Sequence, residues 1–443
     1  MKGVFYLITL GFLIGLSIFI LYSNTETNNQ TILTGSNDEW NIYMKTYTHS
    51  FPPPKIKPPF TYVTNIKTGT FTFLTEWFPS LYTLNNMLID KKLLIVSQSN
   101  TIMAYKRNNL NLSWSYPLPG DYQINNQGAL VQNENLLYFG AWSSNSKEGL
   151  ISAIDKSTNR VIWERKIKGL YPRTLGANPP GFGMNITGNK LIVSVNGNSN
   201  NSDIKKTGSN LLVLDLHNGT LIWEKTFNGF FLEEAIPTVF NNDIYISETV
   251  KLKSGYVSYV YRIDLSNGKT LFRQQIKDIV ISRILVSNEE IFIANYNDNQ
   301  LKSAIYSLKI DDGKVYWTKD IELVNDISIS SNQIYVSYYG GIMAIDITSG
   351  KTNWVKKLGD DNYNDFSSPV IPIENYIVGG GNDSNIRIIH MKDGTEQQII
   401  NLSRNIKGVS GKQINLLIVS GDYIFGAITD GRIVIFKGTS SMN

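Results

Sequence analysis

One register recurs along this chain, and few folds can accommodate it. The segments GLISAIDKSTNRVIW (149–163), SNLLVLDLHNGTLIW (209–223), SYVYRIDLSNGKTLF (258–272), SAIYSLKIDDGKVYW (303–317) and GGIMAIDITSGKTNW (340–354) share one frame of strand, turn and strand. Aligned on the residue that closes the first strand, the anchors are Lys106, Asp155, Asp215, Asp264, Lys309, Asp346, His390 and Lys437, at intervals of 49, 60, 49, 45, 37, 44 and 47 residues. Four positions on stand Gly219, Gly268, Gly313, Gly350 and Gly394, as a turn with positive φ requires. Eight positions on stand Trp114, Trp163, Trp223, Phe272, Trp317 and Trp354, so five of the chain's eight tryptophans share one phase. Helical periodicity is nearly absent, and short β-branched and aromatic runs alternate with Asn, Asp and Gly turns.

Each interval holds four short strands, with A-to-B turns at Asp90-Lys91-Lys92, Asn241-Asn242-Asp243, Asn288-Glu289-Glu290 and Ser331-Asn332-Gln333. A four-stranded antiparallel unit repeated eight times implies an all-β, eight-bladed β-propeller. An open wheel would leave two sheet edges free to pair with other chains, so the ends must meet. The last repeat stops soon after its inner hairpin. An unpartnered turn near the other end puts Asn65, Gly69 and Phe73 at the anchor, +4 and +8 positions, which predicts that 70–77 supplies the outer strand of the last blade.

The pattern A-x-D-x-x-x-G-K-x-x-x-W resembles the tryptophan-docking repeat of the pyrroloquinoline-quinone-like (PQQ-like) propellers, from about residue 62 to the end. His390 and Gln398, where a tryptophan is due, show the seventh repeat departing from it. The resemblance implies a rigid propeller whose register residues are structural. It extends to the propeller lipoprotein of the bacterial outer-membrane β-barrel assembly machine, without that protein's lipidated cysteine.

The chain before the wheel sets topology. Residues 1–3 carry Lys2, and 4–22 form an uncharged stretch long enough for a helix to cross about 30 Å of hydrocarbon. An uncleaved signal anchor is the favoured reading over a cleaved signal peptide, and both place the propeller on the extracytoplasmic side of the membrane. Residues 23–60, rich in Asn and Thr and then in Pro, read as a tether, and 61–443 as the propeller.

Chemistry is sparse. A net charge of +4 is too small for a nucleic-acid surface. With no cysteine there is no disulfide, thiolate nucleophile or zinc–thiolate site. The resemblance implies a second reading, a PQQ- and calcium-dependent oxidoreductase. Its cysteine-disulfide cap is excluded here, and no calcium ligands can be matched, so no cofactor, metal or catalytic residue is expected. Asn382-Asp383-Ser384 and Gly379-Gly380-Gly381 read as turns. The longest interval carries two insertions, 168–183 and 196–208, which must emerge on one face because alternate strands reverse direction. Trp142, Tyr171, Arg173, Pro179, Pro180, Phe182, Phe230 and Phe231 there form a candidate interaction surface, although the loop could instead plug the axial opening. The expected role is a membrane-anchored, non-catalytic scaffold for an envelope or cell-surface protein, with a glycan-binding or adhesion module as a further alternative.

Overall fold

In the computed structural model the described residues are 56–67 and 86–440, apart from positions 99, 125–127, 169, 171–180, 197–207, 233–235, 254, 288, 298–299, 301, 359–365, 367 and 410–411. They form eight antiparallel sheets, each lying beside the next in chain order. Blade 1 spans 86–117, blade 2 122–168, blade 3 182–226, blade 4 238–277, blade 5 279–321, blade 6 324–357 and blade 7 371–401. Blade 8 combines 414–440 with the strand Ile56–Lys67. Strands within a blade are lettered A to D from the axis outward. In blades 2 and 5 the A strand is broken into two short pieces, both paired with strand B.

The predicted anchor holds in all eight sheets. The first residue of every B strand faces it, from Leu93 opposite Lys106 through Leu136 opposite Asp155 to Tyr423 opposite Lys437. Asp155 accepts N–H bonds from Ser157 and Thr158, and Asp346 from Ser349, which folds the C-to-D turn back on itself. These carboxyls sit below the usual carboxylate range because neighbouring Ser hydroxyls donate to them, Asp155 coming down to about 2. At +4 the backbone is left-handed even without glycine, at Leu110 (φ 60°) and Asn159 (φ 56°) as at Gly219 (φ 69°).

Each D strand also contains a bulge at +7 that the sequence does not advertise. Ser113, Ile162, Ile222, Leu271, Tyr316, Asn353 and Gln397 are passed over in the ladder, and Val63 is passed over in the closing strand. The extra residue bends the strand just before the docking position.

Closure by a strand from the amino-terminal side is present, but its location differs from expectation. Ile56–Lys67 pairs antiparallel with Arg432–Ser440, so the outer place in blade 8 is filled, and 70–77 lies outside the described residues. Asn65 is opposite Val434 in mid-strand and is no anchor. The wheel therefore begins at Ile56, inside the stretch read as tether. Pro58 and Pro59 misled that reading. They fall in a register break between Lys57 and Thr61, on an edge strand that needs amides on one side only. Among the described residues no helix is long and apolar enough to cross a membrane, and the expected span at 4–22 lies outside them.

Candidate functional site

The register side chains join each blade to the next through one carbonyl, that of the residue following the anchor. The indole N–H of Trp114 donates to Lys156 O (2.8 Å), Trp163 to Leu216 O (3.2 Å), Trp223 to Leu265 O (3.0 Å), Trp317 to Ile347 O (3.1 Å) and Trp354 to Met391 O (2.8 Å). Phe272 has no N–H, and Arg262 of the same blade supplies the missing donor to Ile310 O (2.9 Å) while its Nε holds Asp243 (2.6 Å). The rings stack on the next blade's glycine turn. A Cβ on Gly219 would lie 2.4 Å from Trp163, and one on Gly394 2.6 Å from Trp354. Gly268, Gly313 and Gly350 meet Trp223, Phe272 and Trp317 in the same way. Trp163 is buried and the other four indoles are half-buried at the outer wall, less enclosed than a ring between two sheets would be. These residues hold the wheel together.

Sites must therefore be sought on the two faces. C-to-D and A-to-B turns form one face, and D-to-A and B-to-C connections the other. Among the described residues the middle hairpin of blade 4 has the longest paired strands reaching the second face. Its strands Asp243–Leu252 and Gly255–Asp264 have ten residues each, where the other B strands have five to eight. Its base is rigid. Glu248 is 2% exposed, and its carboxylate accepts from the Gly229 N–H and from the Tyr261 hydroxyl (2.5 Å). The Tyr261 hydroxyl oxygen in turn accepts from Arg273 Nε (2.8 Å), whose guanidinium lies 3.4 Å from the Tyr259 ring centre. Burial, reinforced by Glu248, pushes the Tyr261 hydroxyl well above its ordinary range, so it stays a donor at all physiological pH. Phe230 and Thr249 exchange two backbone hydrogen bonds of 2.9 Å, pinning the D-to-A connection to the hairpin.

Above that base the tip is open. Leu252 is 49% exposed between exposed Lys251 and Lys253, and Phe230 meets Tyr256 edge-on at 6.2 Å. Lys251 Nζ sits 5.7 Å from the Tyr256 ring centre. This apolar and basic knob was not singled out in the sequence, where KLKSGY is short and lies in an interval of ordinary length.

The expected interaction surface is corrected in three places. Phe182 (1% exposed) fills the space over Gly140 and Gly149. Trp142 (7%) donates its indole N–H to Leu170 O, and Phe231 packs edge-on against Phe227 at 5.0 Å. Their size, read as contact area, serves the seams between blades 2, 3 and 4. Phe230 is half-buried at the tip, while Tyr171, Arg173, Pro179 and Pro180 lie outside the described residues.

Among the described residues no three His, Asp or Glu side chains converge as metal ligands. The inner strand of blade 6 carries a solitary carboxyl, Asp326, whose Oδ2 is enclosed without a hydrogen-bond partner. Burial pushes it up to about 6, against the opposing pull of Arg283 and two backbone N–H groups.

Residues 256–441 match the family model described as outer membrane protein assembly factor BamB. The chain is similar to BamB. The Escherichia coli (strain K12) protein of that name is 27% identical over 146 residues, which cover 33% of this chain and 35% of the relative. The alignment thus spans about a third of the curated protein. The crystal structure of BamB from Moraxella catarrhalis superposes over 86% of this chain and 100% of its own, with a TM-score of 0.58 and 14% identity. Quinohemoprotein alcohol dehydrogenase from Comamonas testosteroni superposes over 87% of this chain and 77% of its own, with a TM-score of 0.59 and 12% identity. At these identities the two structures share the fold with this chain.

Proposed function

We propose that this chain is a non-catalytic docking platform, carried outside the cytoplasm by a membrane anchor at 4–22, on which a protein of the cell envelope assembles through the D-to-A/B-to-C face. One observation carries the reading: a hairpin tip with exposed Leu252 and flanking lysines stands on a base locked by Glu248, Tyr261 and Arg273. A rigid scaffold presenting a mobile-sized, apolar and charged tip is how binding loops are commonly displayed. The BamB likeness supports a scaffold role. Affinity capture of the full chain from its native envelope tests it, comparing the unaltered chain with a Leu252→Asp/Tyr256→Ala variant. The partner should be lost with the variant while the wheel melts unchanged, and equal recovery from both would refute the reading.

The superposition on a quinohemoprotein dehydrogenase favours one rival, a quinone- and calcium-dependent oxidoreductase. Incubation with pyrroloquinoline quinone and Ca²⁺ should give neither a new visible absorbance nor dye reduction if the platform reading holds. A sugar-binding or adhesion role would instead show as glycan binding that is lost on deleting 168–183.

A further inference from the structure

Blade 8 is the one sheet built from both ends of the chain, and its joints differ from the rest. Six seams, from blade 1 to blade 7, carry a donor to the carbonyl after the anchor. At the seventh, Gln398 occupies the docking position, and its amide clasps the closing strand itself. The Phe60 N–H donates to Gln398 Oε1 and Gln398 Nε2 donates to Phe60 O, both at 2.8 Å. At the eighth, Thr64 stands at the docking position opposite Ile435, and Arg107 reaches back from blade 1 to Ser420 O (3.2 Å). No C-to-D turn exists in blade 8 for an indole to stack on, so the missing tryptophan follows from the way the ring closes.

The closing strand is held by a ladder along one edge, by the Gln398 clasp, and by a slot in strand C. Ile56 (0% exposed) and Phe60 (3%) fill that slot over Gly438, where a Cβ would lie 2.5 Å from the Phe60 ring. Every one of these contacts is made with residues more than three hundred positions away.

We propose that the closing strand is exchangeable: Ile56–Lys67 of one copy can complete blade 8 of a second copy. The contacts would be the same in either arrangement, so the balance is set by the local concentration of chains against the effective concentration of the tethered strand, on the order of millimolar. A second copy is the occupant the geometry selects, because an isoleucine and a phenylalanine four residues apart across a proline pair are what the slot is shown to fit. Exchange also keeps the edge of Arg432–Ser440 covered, which a bare opening would not.

The cysteine-free chain makes the test direct. Thr61 and Lys437 are cross-strand partners and both are exposed. Full-length Thr61→Cys and Lys437→Cys chains, mixed at about 0.1–1 mM and then oxidised, should accumulate a disulfide-linked pair containing one chain of each kind. The double variant should close within a single chain and, once locked, should no longer exchange. Gln398→Ala should raise the rate of mixed-pair formation at least threefold, and an unchanged rate would remove the role given to the clasp. Quantitative closure within the double variant, with no mixed pair from the single variants, would overturn the proposal.

Discussion

A seam in this wheel depends on one donated hydrogen bond and one stacked ring, and substitutions can separate the two. Trp163→Phe keeps the ring over Gly219 but leaves Leu216 O without its donor, which should cost about 1–2 kcal/mol in urea unfolding. Trp163→Ala removes both and should cost about 3–5 kcal/mol. In the next-but-one seam the donor is Arg262. Arg262→Met should lose about 1–3 kcal/mol, because Ile310 O and Asp243 are both stranded, whereas the same change at exposed Arg160 should do nothing measurable. Asp326 behaves in the opposite sense. Its folded pKa, about 6, lies above the unfolded carboxylate value, so the group favours the fold below about pH 4 and loses that contribution as pH rises through 6. Asp326→Asn should thus raise stability at pH 7.5 by about 1–3 kcal/mol and leave it nearly unchanged at pH 4. Melts at the two pH values check this, and an equal shift at both would show that packing, and not charge, is responsible.

Strands show where sequence reading succeeds and where it fails. The C-to-D hairpin was legible because turn, anchor and docking ring lie within nine residues of one another, and each has a strong local reason to be what it is. The +7 bulge was not, since the passed-over residue is Ser, Ile, Leu, Tyr, Asn, Gln or Val and needs no special backbone. Gly379 and Gly380 read as a turn yet end the B strand of blade 7. Side chains there would strike Phe366 and Ile414 at 2.3 and 2.4 Å, contacts made by residues more than ten positions away. The closing strand failed for a related reason: its prolines are forbidden inside a sheet and permitted at its rim, and sequence cannot show which edge stays bare. The candidate surface failed by size, as large rings serve a core as readily as a contact. Deleting 56–67 should leave Arg432–Ser440 as a long apolar edge, and the chain should shift to large aggregates on size exclusion. A synthetic peptide of 56–67 added during refolding should restore the monomer.

The closed ring gives the molecule two unlike faces, and the route of the chain decides which of them is free. Ile56 pairs with Ser440 and Lys67 with Arg432, so the chain enters the wheel at the face of the C-to-D turns and crosses to the other along the outer wall. Ile56 itself therefore lies at the turn face, and the hairpin tip of blade 4 stands on the opposite one. On the turn face Asp264 is tied to Ser266 and Asn267, Asp346 to Ser349, and Asp312 to Lys314, each satisfied locally. On the other face Leu252, Lys251 and Lys253 are exposed and Tyr256 is half-buried beside them. A photo-crosslinker placed by way of Leu252→Cys should capture a partner in the native envelope, and the same group at Asn267→Cys on the turn face should capture little. Both sites are exposed, and because Asn267 lies in the turn on which Trp223 stacks, the comparison is made on variants that melt like the unaltered chain. Equal capture from the two positions, or capture from Asn267 alone, would mean that partners read the repeated turns, and the tip would lose its role.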